Sequence, residues 1–430
     1  MTQPGLPFEN AAAHPQRDAV LGEVHARPFQ SLEPPCRLFH YAFLTDSAAA
    51  KADLQALTAF CRAQGVAEPA PQAKHHRINL AGANLRWEQH SEFTTYTIAV
   101  LASASEPFHP AREMISTPFA GLAPPGPQLA AVDLHLLPGD VPVSLETIFE
   151  ARSLAASNPL NGAARVATDF RVNEDGFVRI LVANRALDAI STGALVLRLL
   201  EIETYRTLAL LGLPTAQRLA PSIGAAEVEL TEISHAMSAA EGLDTDNKLL
   251  ERLTALAAKS EAESTEAAFR FGASRAYNGI VQQRLSAIAE EPRGLTPTLS
   301  AFLSRRMQPA MRTCEMLQER QADLSRKLTR AANLLRTRVD VEIERQNRDL
   351  LHAMNERSRV QLRLQQTVEG LSVAAISYYV VGLAGYIFKA LKEMHLLPID
   401  PAIATAASVP VAVLAIALVV RRIRNSHSGH

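Results

Sequence analysis

The pattern of apolar and polar residues changes abruptly after Gly370. Upstream, apolar residues alternate with polar ones or recur at helical spacing, as in a water-soluble chain. Downstream, the runs Leu371–Phe388 and Ala402–Val420 carry no charged side chain. Each approaches the ~20 apolar residues that a helix needs to cross a ~30 Å hydrocarbon layer. We therefore predict transmembrane helices over 371–391 and 402–420, which form an antiparallel hairpin because the link between them is short.

Arginine residues flank this pair of spans on its outer sides. They are Arg357, Arg359 and Arg363 before the first span, and Arg421, Arg422 and Arg424 after the second. Positive residues stay on the cytoplasmic side, so both termini, including the basic tail 421–430, are predicted to be cytoplasmic. The segment Met1–Arg17 has neither the basic start nor the apolar core of a signal peptide. The sequence thus predicts a multi-pass membrane protein with a cytoplasmic N-terminal part.

One face of the first predicted span combines small residues with tyrosines. Ala374, Tyr378, Gly382 and Tyr386 recur every four residues and share this face. Tyr378 is near mid-depth, where a phenol needs a hydrogen-bond partner and therefore faces protein or water. Small residues allow close helix approach. The face is either a helix-packing contact or a pore lining, and the packing contact is the simpler interpretation.

The region 299–370 is predicted to be a long stalk helix. It has no glycine before Gly370, and Pro309 is its only breaker, so an uninterrupted helix is expected from about Met311 to the first span. Apolar or small residues recur at coiled-coil spacing. This seam is Leu324, Leu328, Ala331, Leu335, Val339, Ile343, Leu350 and Met354. It must pack on copies of itself or on preceding helices. Homo-oligomerisation is our main structural inference.

Residues 1–186 are predicted to form an α+β domain, and 187–298 a helical region. The expected elements are strands at Arg37–Asp46, Leu129–Leu137, Arg165–Val172 and Phe177–Val182, a meander over Arg77–Ala102, a helix at Ala48–Gln64, a helix capped by Asp188, and an antiparallel pair of helices at Thr215–Ala240 and Thr245–Glu291. The string Asn173–Gly176 predicts a hairpin turn. The fold class is therefore an α+β domain, long helices and a two-helix membrane hairpin.

Composition narrows the function. The 43 Lys and Arg residues nearly balance the 44 Asp and Glu residues, so no basic field indicates a nucleic-acid partner. Cys36, Cys61 and Cys314 are far apart, which argues against a disulfide framework or a zinc site. No phosphate loop, GxGxxG, HExxH or GxSxG string occurs. We therefore predict no catalytic residue, no cofactor and no metal ligand set, and we do not expect an enzyme.

Four polar groups remain as candidates. Glu23, His25 and Arg27 would bind an anion or transfer a proton, or simply pin an irregular N-terminal arm to the domain. Glu203 and Arg206 are spaced for an ion pair on a helix surface. His75 and His76 are adjacent, which is poor geometry for chelation, and are expected to be exposed. On the outer link, Glu393, His395 and Asp400 would attract cations, but Lys389 and Lys392 oppose them, and an ordinary solvated loop is preferred.

Three long strings carry a resemblance. EVHARPF at Glu23–Phe29, LEIETYRTLALLGLP at Leu200–Pro214 and LRLQQTVEGLSVAAISYYVVGL at Leu362–Leu383 resemble a family of bacterial membrane-anchored proteins described as a domain of unknown function. The resemblance covers nearly the whole chain. It implies the bacterial inner membrane as location and the lipid bilayer as a partner. It supplies no activity or catalytic residue.

The layout is also similar to that of CorA-type metal-ion transporters, whose stalk and first span line a homopentameric pore. This resemblance implies that Tyr378, Gly382 and Tyr386 face an axis, and that cations are partners. The Gly-Met-Asn signature expected after the first span is replaced by Lys389–Lys392, so magnesium selectivity is not implied. Two functions are carried forward. One is a homo-oligomeric ion channel or transporter, and the alternative is a membrane-anchored scaffold or sensor whose cytoplasmic domain binds a partner.

Overall fold

The computed structural model describes residues 12–17, 20–21, 29–115, 117–139, 141–240, 242–394 and 398–427. The candidates Glu23, His25, Arg27 and His395 lie outside the described residues. The chain divides into two compact units, one of residues 1–235 with 252–331 and the other of residues 236–251 with 332–430.

A nine-stranded sheet forms the centre of the first unit. Its strands are β1 (Cys36–Leu44), β2 (His75–Leu80), β3 (Ala83–Gln89), β4 (Phe93–Leu101), β5 (Gln128–Pro138), β6 (Ala155–Pro159), β7 (Ala164–Val172), β8 (Val178–Asn184) and β9 (Glu290–Pro292). Their order across the sheet is β2-β3-β4-β1-β5-β8-β7-β6-β9. Neighbouring strands are antiparallel except β5 and β8, which are parallel. The predicted meander is confirmed as β2-β3-β4.

The predicted hairpin turn between β7 and β8 is also confirmed. Gly176 N–H donates to the Asn173 carbonyl over 3.0 Å, and Asn173 N–H donates to the Phe177 carbonyl over 2.8 Å. Gly176 adopts a φ of 85°, a left-handed conformation that glycine takes without strain. The short strands β6 and β9 were not predicted. The three residues of β9 include two glutamates and a proline, which give no periodic signal.

The described residues also form six α-helices. They are α1 (Ser47–Gln64), α2 (Ala189–Leu210), α3 (Gly212–Ala239), α4 (Leu243–Ala287), α5 (Leu299–Glu393) and α6 (Pro401–His427). Asp46 and Asp188 cap α1 and α2 by accepting from the backbone N–H of Ala49 and Ser191. The fold class predicted from the sequence, an α+β domain followed by long helices and an apolar C-terminal helix, is confirmed.

The sheet is covered on both faces. On one face, Leu57 and Cys61 of α1 pack with Leu85 and Trp87 of β3. On the other, the central strands pack under α2 and under parts of α4 and α5 in the largest apolar core. That core joins Leu134 of β5 and Leu199 of α2, among other buried residues. Residues from 32 to 311 therefore contribute to one core.

The helix α5 starts twelve residues before the predicted Met311 and runs through Pro309 without a break. The prediction that Pro309 interrupts the helix is wrong. Proline costs a helix interior about 3 kcal/mol. Leu299, Leu303, Met307 and Met311 around it are all buried, and this burial outweighs that cost.

The first turn of α5 is capped by a side chain from β9. Glu290 Oε1 accepts from the backbone N–H of Leu299 over 3.0 Å, and Glu290 Oε2 accepts from that of Ser300 over 2.9 Å. Ser157 of β6 also donates to Glu290 Oε1 over 2.7 Å. A carboxylate here compensates the free N–H groups of the helix start. The edge of the sheet thereby fixes where α5 begins.

The predicted coiled-coil seam divides into two parts. Leu324 and Leu328, in the first unit, and Leu335 and Val339, in the second, are buried within the chain. These four side chains are thus covered by other parts of the described chain. All described residues from Ile343 to Val368 are exposed, including the seam residues Leu350 and Met354. This part of the seam has no partner within the described chain.

Within the described part of the chain, two helical stretches are long and apolar enough to cross a membrane, the C-terminal part of α5 and α6. They run antiparallel. Gly385 of α5 lies beside Thr405 of α6, whose Cγ2 is 3.3 Å from where a Cβ of Gly385 would stand. Toward the other end, Val373 of α5 and Ala417 of α6 line a shared groove.

Candidate functional site

The strand β3 presents two opposite surfaces. Leu85 and Trp87 point into the core under α1, and the intervening Arg86 and Glu88 therefore point to the other face. There they meet Thr95 and Thr97 of β4, which pair with Glu88 and Arg86 in the strand register. The sheet face that packs against α2 is therefore apolar at the central strands and polar at β3 and β4.

A cavity of about 340 Å³ lies between this polar face and the helices α2 and α4. Its lining combines charged, hydroxyl and aromatic side chains. The residues are Phe29, His40, Arg86, Glu88, His90, Phe93, Thr95, Thr97, Leu197, Arg198, Leu200, Glu201, Thr204, Tyr205 and Arg284. This volume lies within the range of small-molecule sites, and a few convergent polar groups in a partly apolar wall are typical of them. We name this the α2 cavity.

His40 is held neutral at the floor of the α2 cavity. Its Nε2 lies 2.9 Å from Thr204 Oγ1, and its Nδ1 lies 2.8 Å from Thr97 Oγ1. Because the Thr204 hydroxyl donates to the Leu200 carbonyl over 3.0 Å, Thr204 accepts from His40 Nε2–H, and Thr97 donates to Nδ1. Burial, with the nearby Arg86 charge, lowers the His40 pKa to about 3. His40 therefore positions two hydroxyl groups and carries no charge near neutral pH.

Two ion pairs line the same cavity. Arg86 Nη2 lies 2.7 Å from Glu88 Oε1, and these side chains are 8% and 9% exposed. Arg284 Nε lies 2.6 Å from Glu201 Oε2, linking α4 to α2. The third arginine, Arg198, lies with its guanidinium 5.9 Å from the centre of the Phe29 ring. Three arginines thus face two glutamates.

Aromatic rings form one wall. The Phe93 and Tyr205 rings meet edge to face at 5.8 Å, and Tyr205 stacks on Tyr277 at 5.5 Å. His90 stacks on Phe93 at 4.1 Å. Beyond this wall lies a second cavity of about 390 Å³, which also touches Lys74 and shares His90, Phe93 and Tyr205 with the first. The aromatic wall therefore separates two neighbouring spaces.

The predicted pair of Glu203 and Arg206 exists, but it is not on the surface. Arg206 Nε lies 2.6 Å from Glu203 Oε2, and the Glu203 side chain is only 3% exposed. The surface interpretation is wrong because α2 is covered by the sheet on one side and by other helices on its flank. Arg206 in turn lies over the Phe170 ring. The pair is outside the α2 cavity.

The predicted membrane face is separate from the contact with α6. Tyr378 and Tyr386 are 79% and 77% exposed, and no atom lies within 4 Å of a Cβ built on Gly382. The neighbouring stripe that includes Ser377 and Gly385 is the one closer to α6. Within the described chain, the Tyr378 face is therefore uncovered.

The remaining candidates are dispersed. His75 is exposed on the edge strand β2, while His76 Nε2 lies 2.8 Å from the Ala67 carbonyl. Asp400 lies 3.7 Å from Lys392 Nζ, and Glu393 is exposed. Cys36, Cys61 and Cys314 are free thiols. Among the described residues, no group of three or more His, Cys, Asp or Glu side chains is arranged to hold a metal ion.

The α2 cavity was not predicted from the sequence. One available signal was the alternation Leu85-Arg86-Trp87-Glu88, which places two charges on the face of a strand whose other face is core. A second was the string LEIETYR, which supplies Glu201, Thr204 and Tyr205 to the cavity.

A family model matches residues 12–427, and the chain belongs to that family, described as "Protein of unknown function (DUF3422)". No curated protein and no solved structure matches the chain.

Proposed function

We propose that this member of the DUF3422 family is a membrane-anchored sensor that binds a small polar ligand in the α2 cavity. The observation that carries the proposal is the buried pair of Arg86 and Glu88 inside a cavity of about 340 Å³. Burying an ion pair costs desolvation, and well-packed apolar residues often stabilise a fold equally well. Charged groups that converge on a cavity instead of filling it are typical of binding sites.

The proposed anchor is the pair of C-terminal helices. Their apolar stretches match the length that crosses a bilayer, and arginines flank both outer ends. We place the N- and C-termini in the cytoplasm of a bacterial cell, with the sheet domain at the inner membrane. Cysteine accessibility tests this: a cysteine introduced at Ser426 should be labelled from the cytoplasmic side only. If an impermeant reagent labelled this cysteine in intact cells, the C-terminus would lie outside the cytoplasm, opposite to the proposed orientation.

The proposed sensor is a homo-oligomer. Residues 343–368 span roughly 40 Å of helix at ~1.5 Å per residue, and Leu350 and Met354 lie exposed there. An apolar seam on a helix without neighbours is stable when it packs on a second copy. Leu350→Asp should therefore dissociate the oligomer in mild detergent, as measured by light scattering. Val341→Asp is the control, since Val341 is exposed on the opposite side of the helix. Equal assembly of the two variants would contradict the proposal.

Ligand binding is tested on the full chain in detergent. Trp87 is the single tryptophan and is fully buried beside Arg86 and Glu88, so its fluorescence reports unfolding of the sheet domain. A panel of small polar compounds should include one that raises the unfolding midpoint saturably. Leu197→Phe, which narrows the cavity, should remove that effect, whereas Ile190→Phe on the exposed side of α2 should not. If the ligand raised the unfolding midpoint equally in both variants, it would bind outside the α2 cavity.

A second candidate function is ion conduction by the oligomer. It is favoured by the uncovered face of Tyr378, Gly382 and Tyr386. A tyrosine hydroxyl in the middle of a membrane needs a hydrogen-bond partner, which water in a pore would provide. Purified protein in liposomes should then pass cations, and Gly382→Leu should block the flux. Val380→Leu, on the far side of the helix, is the matched control. Absence of flux from a verified oligomer would leave the sensor as the function.

A further inference from the structure

The charges of the α2 cavity do not cancel. Glu88 is paired with Arg86, and Glu201 with Arg284. His40 is buried, and its ring nitrogens are bound to the hydroxyl groups of Thr97 and Thr204, so it adds no charge near neutral pH. Among the described residues, Arg198 has no carboxylate within ion-pair distance, and it is half-buried at the cavity wall. Among the described residues that line the cavity, one positive charge is therefore in excess.

The position of Arg198 suits a ligand with a flat ring. Arginine presents a planar guanidinium that binds carboxylate or phosphate oxygens through two parallel hydrogen bonds. The rings of Phe29, Phe93 and Tyr205 line the same cavity. Aromatic side chains favour edge-to-face or offset contact with another ring at about 4.5–7 Å. The cavity thus offers an anion-binding group and a ring-binding wall together.

The same inventory argues against a cationic ligand. Both carboxylates that line the cavity already bind a guanidinium. A cation entering there would meet three arginines and would compete with two of them for the glutamates. No metal-holding group of His, Cys, Asp or Glu was found among the described residues.

We propose that the α2 cavity binds a small aromatic anion, with its carboxylate or phosphate group on Arg198 and its ring against Phe93 and Tyr205. This inference rests on the proposed function and specifies the ligand class of that site. Thr97 and Thr204, oriented by His40, supply hydroxyl oxygens for a further polar substituent on the ring.

The experiment uses four probes that share a phenyl ring. Benzoate and phenyl phosphate are the two anions, benzamide is neutral and benzylamine is a cation. Binding to the full chain in detergent is measured by calorimetry and by the unfolding midpoint reported by Trp87. We expect saturable binding of at least one anion, and the preferred anion identifies carboxylate or phosphate as the group recognised. Benzylamine and benzamide should bind at least about tenfold more weakly, since a charge-assisted hydrogen bond is lost.

Three variants locate the binding. Arg198→Met keeps the aliphatic length and should weaken anion binding about tenfold or more, and Arg198→Lys should restore part of it. Arg171→Met removes an exposed arginine on β7 outside the cavity and should change nothing. Anion binding unaffected by Arg198→Met would overturn the inference.

The outcomes separate the inference from the proposed function. If benzylamine or benzamide binds best and Leu197→Phe blocks it, the cavity is a ligand site, but the anion assignment is wrong. If none of the probes binds and the broader polar panel also fails, both are wrong.

Discussion

Glu201 and Arg284 join α2 to α4 at the edge of the α2 cavity, with Arg284 Nε 2.6 Å and Nη2 3.4 Å from the two carboxylate oxygens. Both side chains are partly exposed, so this pair contributes little to folding. Its main effect is local, because the carboxylate competes with any anionic ligand for the guanidinium. The pair therefore limits the positive charge that the cavity offers.

Replacing that carboxylate should strengthen anion binding. Glu201→Gln keeps the shape and frees Arg284, so the affinity for the preferred anion should rise by up to about fivefold, equivalent to ~1 kcal/mol. Titration calorimetry of the full chain measures the change, and the unfolding midpoint without ligand serves as the control. A weaker anion affinity with an unchanged midpoint would mean that Glu201 itself binds the ligand.

Stability should fall as the pH drops below about 6.5. Burial is the main cause that lowers the pKa of His40 to about 3 and that of His135 to about 4, whereas unfolded histidines titrate near 6.5. The unfolded state therefore binds more protons between these values, and each histidine removes up to about 1.4 kcal/mol per pH unit. Above about pH 6.5 this contribution is complete and constant.

The measurement is the unfolding midpoint of Trp87 fluorescence over the range from about pH 7 to about pH 5. His135→Asn should reduce the slope, since Asn cannot take up a proton. His75→Asn, at an exposed edge position, should leave the slope as it is. A flat profile in the unaltered chain would contradict the burial of both histidines.

Replacing only one partner of the buried ion pair between Arg37 and Asp133 should strongly destabilise the fold. Arg37 Nε and Nη2 lie 2.8 Å and 2.6 Å from the two Asp133 oxygens, and both side chains are buried. Arg37→Met leaves the carboxylate without its partner and should lower the free energy of unfolding by about 3–5 kcal/mol. Chemical denaturation followed through Trp87 measures this.

A double-mutant cycle separates the pair from its surroundings. Arg37→Met with Asp133→Leu should lose less stability than the sum of the single changes, because no charge is left buried alone. Arg37 also donates to the carbonyls of Phe108 and Pro110, so some loss should remain in the double variant. Strict additivity would show that the two side chains act independently.

Gly193 permits the chain at Gln30 to pass against the start of α2. A Cβ at Gly193 would overlap the Gln30 carbonyl oxygen, and Leu32 N–H donates to the Ala189 carbonyl beside it. Gly193→Ala should therefore displace this segment and with it Phe29, at a cost of about 1–3 kcal/mol. Faster limited proteolysis near Phe29 and weaker binding of the ring-bearing anion are the expected results.

Gly224→Ala provides the matched control for that change. Gly224 lies within α3, and nothing stands within 4 Å of a Cβ built there. Alanine at such a position should raise stability by up to about 1 kcal/mol and leave proteolysis at Phe29 unchanged. If the two alanines had the same effect, the close approach at Gly193 would be irrelevant.

Periodic features of this chain were predictable from its sequence. The two uncharged runs near Tyr378 and Pro410, the meander β2-β3-β4 and the turn at Asn173–Gly176 all follow from local pattern and turn chemistry. These features depend on neighbours in sequence, so the residues alone indicate them.

The α2 cavity depends instead on which strands a helix covers. In the sequence, Arg86 and Glu88 have the pattern of ordinary surface charges. Their burial follows only from the sheet order, which pairs β3 with β4, and from α2, which covers this part of the sheet. The burial of Glu203 and the unbroken helix at Pro309 have the same origin, since tertiary packing outweighs local preference there. A three-residue strand such as β9 carries too few positions for any period to be detected.

The cap that Glu290 provides has a consequence for biosynthesis. Chains leave the ribosome from the N-terminus, so Ser157 and Glu290 emerge before Leu299 does. The apolar stretch of the same helix after Gly370 is translated later still, when the sheet that caps the start of the helix has had time to form. A chain translated from Leu299 onward would contain every residue of that helix but would lack the Glu290 carboxylate. The residue at which the helix begins would therefore vary.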